Sequence, residues 1–300
     1  MDAARAHFDV TVRDTTAPMD LAECRAALAG HDVLLPTLGD ALSAEAFTGS
    51  IRAKGLANFG VGYNHIDVDA ARKAGLSVAN TPGAVTDATA DIALTLILMT
   101  ARRAGEGERL VRAGDWHGWH PVQMLGMHVT GKTLGVIGMG RIGQAIAHRC
   151  HHGFGMNVVF HNRSTKEVPG ATQLDSVAEV CAAADIVVTA VPASPETFHI
   201  IDEEALAAMR PHAILVNIAR GDVVDEPALI AALQGGRIAG AGLDVYEQEP
   251  HVPDALTALE NVVLLPHLGT AALEVREAMG RMALDNAIAI AEGRTPPNAV

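Results

Sequence analysis

Leu134-Gly135-Val136-Ile137-Gly138-Met139-Gly140-Arg141-Ile142-Gly143 decides the fold: an apolar run ends in a glycine-rich turn, and the turn opens a helical pattern. Gly138 permits the tight turn, Gly140 lets the backbone approach a pyrophosphate, and Gly143 lets helix and strand pack closely. A pyrophosphate so placed meets a helix N-terminus, where N–H groups and the helix dipole favour negative charge. Glycine-rich turns match this spacing by chance, so the flanks matter. Here Thr133–Ile137 reads as a strand, Arg141–His148 as a helix and Asn157–Phe160 as the next strand, the context that a dinucleotide-binding unit requires.

Outward from this turn, short apolar runs alternate with helical patterns, the signature of a parallel sheet with helices on both faces. Further strands are expected at Asp9–Val12, Val33–Pro36, Ser77–Ala79, Ile186–Thr189, Ala213–Asn217, Gly240–Asp244 and Val262–Leu265. Several are solid Val, Ile and Leu, as for strands buried on both faces. A long helix is expected over Thr86–Arg102, with hydroxyls and acids (Thr86, Asp87, Thr89, Asp91) at its N-terminus. An arm over 105–127 holds Trp116 and Trp119, and a second long helix over about Ala271–Glu292 closes the chain. The expected plan is discontinuous: residues 1–80 with 271–300 form one domain, and 81–270 the dinucleotide-binding domain.

Three hundred residues bury a substantial core, and with aromatics at only 3% that core is built from Ala, Val, Leu and Ile. The net charge of −13 argues against nucleic acid and anionic membrane surfaces as partners, whereas local arginines and N–H groups can still hold an anionic cofactor. Cys24, Cys150 and Cys181 are odd in number and widely spaced, which fits reduced thiols in a reducing compartment. With no signal-peptide pattern and no bilayer-length apolar stretch, a cytoplasmic protein is expected. His148, Cys150, His151 and His152 are open to two readings, a metal site or a solvated helix end. Their bunching without further ligands favours the second, and no metal is expected.

The chemistry concentrates in three local settings: Asn217-Ile218-Ala219-Arg220-Gly221, Glu247-Gln248-Glu249-Pro250 and Pro266-His267-Leu268-Gly269-Thr270. A fixed cation, a carboxylate and an imidazole are what reversible reduction of a 2-keto acid requires. Arg220 can grip a carboxylate and a carbonyl with its planar fork of donors. His267 can give a proton to the carbonyl oxygen, and Glu249 can keep that imidazole charged and oriented. After Asn157–Phe160, where an acid would bind a ribose 2′-hydroxyl, the chain reads His161-Asn162-Arg163-Ser164-Thr165-Lys166. Cations and hydroxyls replace the acid, which points to a 2′-phosphate and so to NADP(H); the alternative is a basic surface turn.

With these motifs the chain resembles the D-isomer-specific 2-hydroxyacid dehydrogenases, most closely the glyoxylate/hydroxypyruvate reductase branch. The intervals from Arg220 to Glu249 and from Glu249 to His267 look like that family's catalytic constellation, and Asn58-Phe59-Gly60-Val61-Gly62-Tyr63-Asn64-His65-Ile66-Asp67 looks like its substrate loop. The resemblance implies a Rossmann-type dinucleotide-binding domain and a discontinuous flavodoxin-like substrate domain. It implies that the N–H groups of Val61 and Gly62 hold the substrate carboxylate, with Leu38 lining the pocket. For the cofactor it implies contacts at Thr86, Gly138, Gly140, Arg141, Ile142, Gly143, Asn162, Arg163, Ser164, Pro192, Thr197, Ala219, Asp244 and Gly269, with Asp244 orienting the nicotinamide carboxamide. A homodimer through 105–127 follows, with Trp119 reaching the neighbouring subunit's site. The implied activity is NADPH-dependent reduction of glyoxylate or hydroxypyruvate, with NAD as a possible cofactor. Two alternatives stay open, an NAD-dependent enzyme for a larger acid of the lactate or 2-ketogluconate type and a non-catalytic dinucleotide-sensing scaffold.

The family's substrate domain places its first strand between its second and third. This chain opens on what reads as the helix after that strand, so the first strand is expected to be missing. Either the native protein begins about twenty residues upstream, the length of one strand and a helical turn, or Asp9–Val12 pairs directly with Val33–Pro36.

Overall fold

In a computed structural model describing residues 2–300, the chain divides into two units, Met1–Val85 with Ala272–Val300, and Thr86–Ala271. The first contains β1 (Val33–Leu34), β2 (Gly55–Ala57) and β3 (Ser77–Ala79). The second contains β4 (Thr133–Ile137), β5 (Asn157–His161), β6 (Ala171–Gln173), β7 (Ile186–Thr189), β8 (Ile214–Asn217), β9 (Gly240–Leu243) and β10 (Val262–Leu264).

In the larger unit all seven strands are parallel, in the order β10-β9-β8-β7-β4-β5-β6. Alternate side chains of a strand face opposite ways, and both faces are apolar here. Leu134 and Val136 of β4, Ile186 and Val188 of β7, and Ile214 and Val216 of β8 share a core with the helices Thr86–Ala101 and Arg141–Phe154. Ile137, Val187, Leu215, Ala241 and Leu243 pack on the other face, against Val177–Ala183, Glu203–Ala208 and Glu226–Gln234. β4 lies between β5 and β7, so the connections leave it in opposite directions and a crevice opens at its carboxyl end. The glycine turn 138–143 sits there. Among the described residues no helix is long and apolar enough to cross a membrane.

The opposite edge of this sheet is tied by Asp185, which is only 7% exposed. Its carboxylate accepts from the Thr133 N–H (2.9 Å), Arg210 Nη1 (3.1 Å) and His212 Nε2 (2.7 Å). Burial opposes its charge, but the Thr133 N–H, His212 and Arg210 outweigh burial and hold its pKa below the ordinary value. A lowered pKa adds stability that is present above the unfolded-state value of about 3.9 and is lost as pH falls through the folded-state value. Asp185→Ala is therefore expected to cost about 1 kcal/mol, because the half-buried Thr133 N–H loses its acceptor while the Arg210 and His212 side chains are exposed enough to turn to water. Urea unfolding at neutral pH measures the gap, which should narrow below about pH 4. The three cysteines are buried, which raises the Cys24 thiol to about 11 and those of Cys150 and Cys181 to about 12, so none offers a thiolate near neutral pH.

The smaller unit is built on a parallel sheet, β1-β2-β3. Cys24, Leu28, Leu34, Leu56 and Val78 form its core on one side, and Ala287 and Ile290 of helix Leu273–Ala291 pack against Ala57 on the other. The tail returns to β3, where Ala299 bridges Ala79 and the Val300 N–H donates to Val78 O. The expected strand Asp9–Val12 is not formed and does not pair with Val33–Leu34; Val12 is 57% exposed. Only Val10 and Val12 are apolar in that stretch, only Val10 is partly covered, and among the described residues no strand pairs with them to supply a ladder. β1 stops at Leu34, ahead of Pro36, whose nitrogen carries no donor for a ladder. β2 and β6 were not legible as strands. Each has three residues, and β6 is an edge strand with no fully buried residue.

Candidate active site

The loops that leave β8, β9 and β10 lie side by side at the carboxyl edge of the larger sheet, and each carries one of the three candidate groups. After β8, the Asn217 side chain builds the turn. Its Oδ1 accepts from the Ala219 N–H (3.0 Å) and Thr189 Oγ1 (2.7 Å), and its Nδ2 donates to Arg220 O (2.8 Å). Such an Asx turn is what an Asn at a strand end can make with its own backbone. The next residue must be glycine, since a Cβ on Gly221 would overlap the backbone of Tyr246 and Glu247. That close approach sets Arg220 beside the β9 loop. The Arg220 guanidinium donates to Ala219 O (2.6 Å); burial lowers its proton affinity, opposed by the negative charges of Glu249 and Asp222.

Glu249 accepts from the Tyr246 N–H (3.1 Å) through one oxygen and meets His267 Nδ1 (2.8 Å) through the other. Burial works against the Glu249 charge, but the hydrogen bond and charge of His267, the Tyr246 N–H and Arg220 prevail and hold its carboxyl below the ordinary range. Tyr246, itself buried, ties this loop to the next by donating to Leu265 O (2.9 Å).

The loop after β10 places His267 in the left-handed region (φ 54°), a conformation that costs a non-glycine residue energy and needs outside support. Asp244, 1% exposed, supplies it. Its backbone oxygen accepts from the His267 N–H (2.9 Å), and its carboxylate accepts from the N–H groups of Leu268 (2.6 Å) and Gly269 (2.8 Å). Thr89 Oγ1 donates to Gly269 O (3.1 Å). With Nδ1 committed to Glu249, Nε2 is the His267 nitrogen that remains for proton transfer. The imidazole and carboxylate side chains are 30% and 26% exposed, open enough to meet a substrate.

At the end of β4, Gly138 has φ 98° and leaves no room for a Cβ beside Ala190 O and Val191, while a Cβ on Gly143 would overlap Gly138 O. Around Gly140 there is open space. Helix Arg141–Phe154 begins there without a side-chain cap and without an acid in its first turn, so its N-terminal donors face outward. These features fit a pyrophosphate. Asn162 Oδ1 accepts from the Met139 N–H (3.2 Å) and Nδ2 donates to Ser164 O (2.9 Å), which leaves Arg163 and Ser164 exposed at the turn. Lys166 donates to Met139 O (2.8 Å), a second tie between the two turns. In the loop after β7, Thr197 Oγ1 donates to Pro192 O (2.6 Å).

Thr86 opens the helix Thr86–Ala101, and Ala219 is buried beneath Arg220. Arg141 and Ile142 form the first turn after Gly140. Trp119 is 78% exposed in the arm, beyond the helix Ala104–Ala113. Leu38, Val61 and Gly62 belong to the smaller unit. The sequence assigns no role in the site to Asn217, Thr89 or Tyr246, whose side chains hold other residues of it in place. Among the described residues no group of three or more His, Cys, Asp or Glu side chains could hold a metal ion.

The family profile described as D-isomer specific 2-hydroxyacid dehydrogenase, NAD binding domain, matches residues 94–269. The chain is 44% identical to the glyoxylate reductase of Thermococcus onnurineus, over 99% of this chain and 90% of that protein. A Thermus thermophilus protein solved by crystallography superposes with TM-score 0.93 at 43% identity, covering 100% of this chain and 95% of that one. The NADPH-dependent glyoxylate/hydroxypyruvate reductase of Sinorhizobium meliloti, solved with NADP and malonate, superposes with TM-score 0.86 at 36% identity, covering 94% of this chain and 87% of that one. With the glycine turn, the Glu249–His267 pair and Arg220 on one sheet edge, the chain belongs to the D-isomer-specific 2-hydroxyacid dehydrogenase family, in its glyoxylate reductase branch, and is an NAD(P)-dependent oxidoreductase.

Proposed function

We propose that this protein reduces glyoxylate and hydroxypyruvate to D-2-hydroxy acids, with NADPH as the preferred cofactor. The Glu249–His267 hydrogen bond carries the reading, because a protein that only senses a dinucleotide has no use for an oriented acid–base pair. The bound dinucleotide supplies the hydride. Gly138, Gly140, Arg141, Ile142 and Gly143 hold its pyrophosphate, and Pro192 and Thr197 its adenosine half. Thr86, Ala219, Gly269 and the remaining lone pairs of Asp244 border its nicotinamide.

The residues of the chain do the rest. Val61 and Gly62 of the substrate-binding domain anchor the substrate carboxylate through their N–H groups, with Leu38 lining the pocket. Arg220 grips the carboxylate and the carbonyl oxygen and stabilises the charge that develops there. His267 passes its proton from Nε2 to that oxygen, and Glu249 holds the imidazole in place through Nδ1 while it does so. Exposed Trp119, Val122 and Leu125 form an apolar strip on the arm 105–127, which supports a homodimer with Trp119 narrowing the partner's site to short substrates. A dimer mass by light scattering at micromolar concentration is expected, and a fully active monomer would contradict it. The location read from the cysteines is the cytoplasm.

Asn162, Arg163 and Ser164 are the basis for preferring NADPH. Purified protein should oxidise NADPH with glyoxylate or hydroxypyruvate faster than NADH, and faster than with larger keto acids. Arg163→Ala should raise KM for NADPH by roughly tenfold, a typical loss for one charge-assisted hydrogen bond, and leave NADH nearly unchanged. Equal losses with both cofactors would show that Arg163 does not read a phosphate. Binding of NADPH without turnover of any keto acid would overturn the enzymatic reading itself.

A further inference from the structure

We propose that Asn58 and Asn80 are positioning residues that turn the loop 60–63 into a receptor for the substrate carboxylate. The inference rests on the reading of Val61 and Gly62 as its anchor. Asn58 is fully buried, and its Nδ2 donates to both Gly60 O and Gly62 O, each at 3.0 Å. Asn80, 7% exposed, donates from its own Nδ2 to the carbonyl between them, Val61 O, at 2.8 Å. Three successive carbonyls are therefore held by two side-chain amides.

Peptide planarity makes the consequence strict. In a trans peptide the C=O and the following N–H point in opposite directions. Fixing the carbonyls of Gly60, Val61 and Gly62 toward the amides turns the N–H groups of Val61, Gly62 and Tyr63 the other way. Among the described residues none of those three donors has an acceptor. Successive outward N–H groups can form a cradle for an anion. The Gly60 carbonyl is also held by the Thr81 N–H (3.1 Å), but without the amides the planes that follow Val61 and Gly62 could rotate and present a carbonyl oxygen to the carboxylate.

Two further observations favour positioning over simple packing. The Asn58 Oδ1 is buried with no partner among the described residues, so its amide is oriented by the two carbonyls alone. An apolar side chain would avoid that burial cost but would leave Gly62 O without its donor and Gly60 O with the Thr81 N–H (3.1 Å) alone. Asn80 is itself clamped, its N–H donating to Asn298 O (3.1 Å) and its carbonyl accepting from Asn286 Nδ2 (2.9 Å) of the closing helix. The cradle is thereby tied to the most extended element of the smaller unit.

The test uses the full-length protein with Asn58→Ala, Asn80→Ala and Val61→Pro, the last removing one cradle donor directly. Steady-state KM for glyoxylate, inhibition by oxamate as a non-reacting carboxylate probe, and NADPH affinity by fluorescence titration are measured. Each asparagine variant should raise KM and the oxamate inhibition constant by roughly tenfold or more, with kcat reduced much less and NADPH affinity unchanged. A general loss of folding would instead lower kcat and cofactor affinity together. Asn80→Ala deletes a single side-chain bond and serves if Asn58→Ala does not fold. If Val61→Pro raises KM while both asparagine variants stay within twofold of wild type, the positioning role is overturned and the anchor stands. If none of the three changes KM, the anchor falls and the positioning role with it.

Discussion

His267→Ala is expected to lower kcat for keto-acid reduction by about 10²–10⁴-fold, the usual contribution of a positioned general acid. KM for NADPH should change little, since the glycine turn and the Asn162 turn are untouched. Substrate binding should largely survive as well, because Arg220 is held by the separate turn that Asn217 builds. Glu249→Gln separates orientation from charge. Glutamine can keep the contact to His267 Nδ1, but it removes the negative charge that favours a protonated ring. The carboxyl of Glu249 sits below its ordinary value, so it is ionised throughout the neutral range and lost only in acid. The variant should therefore resemble the wild type in acid, where the wild-type carboxyl is also neutral, and fall behind it as pH rises through the lowered Glu249 value. A stopped-flow pH series measures this. Activity of His267→Ala within threefold of wild type would remove the imidazole from the mechanism.

Arg220→Ala should lower kcat/KM by roughly 10²–10³-fold, since it deletes donors aimed at charge that grows in the transition state. The loss should appear in both KM and kcat, because in the proposed mechanism the same guanidinium holds the ground-state carboxylate. Arg220→Lys tests geometry at constant charge. A lysine ammonium is a point charge without the planar fork, so it should restore part of the affinity and less of the rate. A further effect falls on Glu249, which loses a neighbouring cation. Its carboxyl should titrate higher in Arg220→Ala, moving the acid limb of the profile upward. Recovery of full kcat/KM by lysine would show that Arg220 acts only as a distant charge.

The glycine turn, both long helices and, apart from the edge strand β6, the strands after Gly131 were legible because each is written locally. A buried parallel strand is a run of Val, Ile and Leu whatever lies beside it, and a phosphate-binding turn needs its glycines within a few residues. In the smaller unit that rule fails. Gly55-Leu56-Ala57 is its central strand yet carries a glycine and only three residues, whereas Asp9–Val12 alternates as a strand should and forms none. Strand formation there depends on what lies alongside, which no local pattern contains.

The candidate site divides the same way. By itself the sequence named Arg220, Glu249 and His267, because a guanidinium, a carboxylate and an imidazole announce their chemistry as residue types. Only the tertiary structure decided how they are held. Asp244 fastens the strained His267 turn through backbone N–H groups, Gly221 lets one loop press against another, and Asn58 and Asn80 order a backbone whose own residues are chemically silent. Those effects arise from hydrogen bonds and close contacts between segments that only the fold brings together.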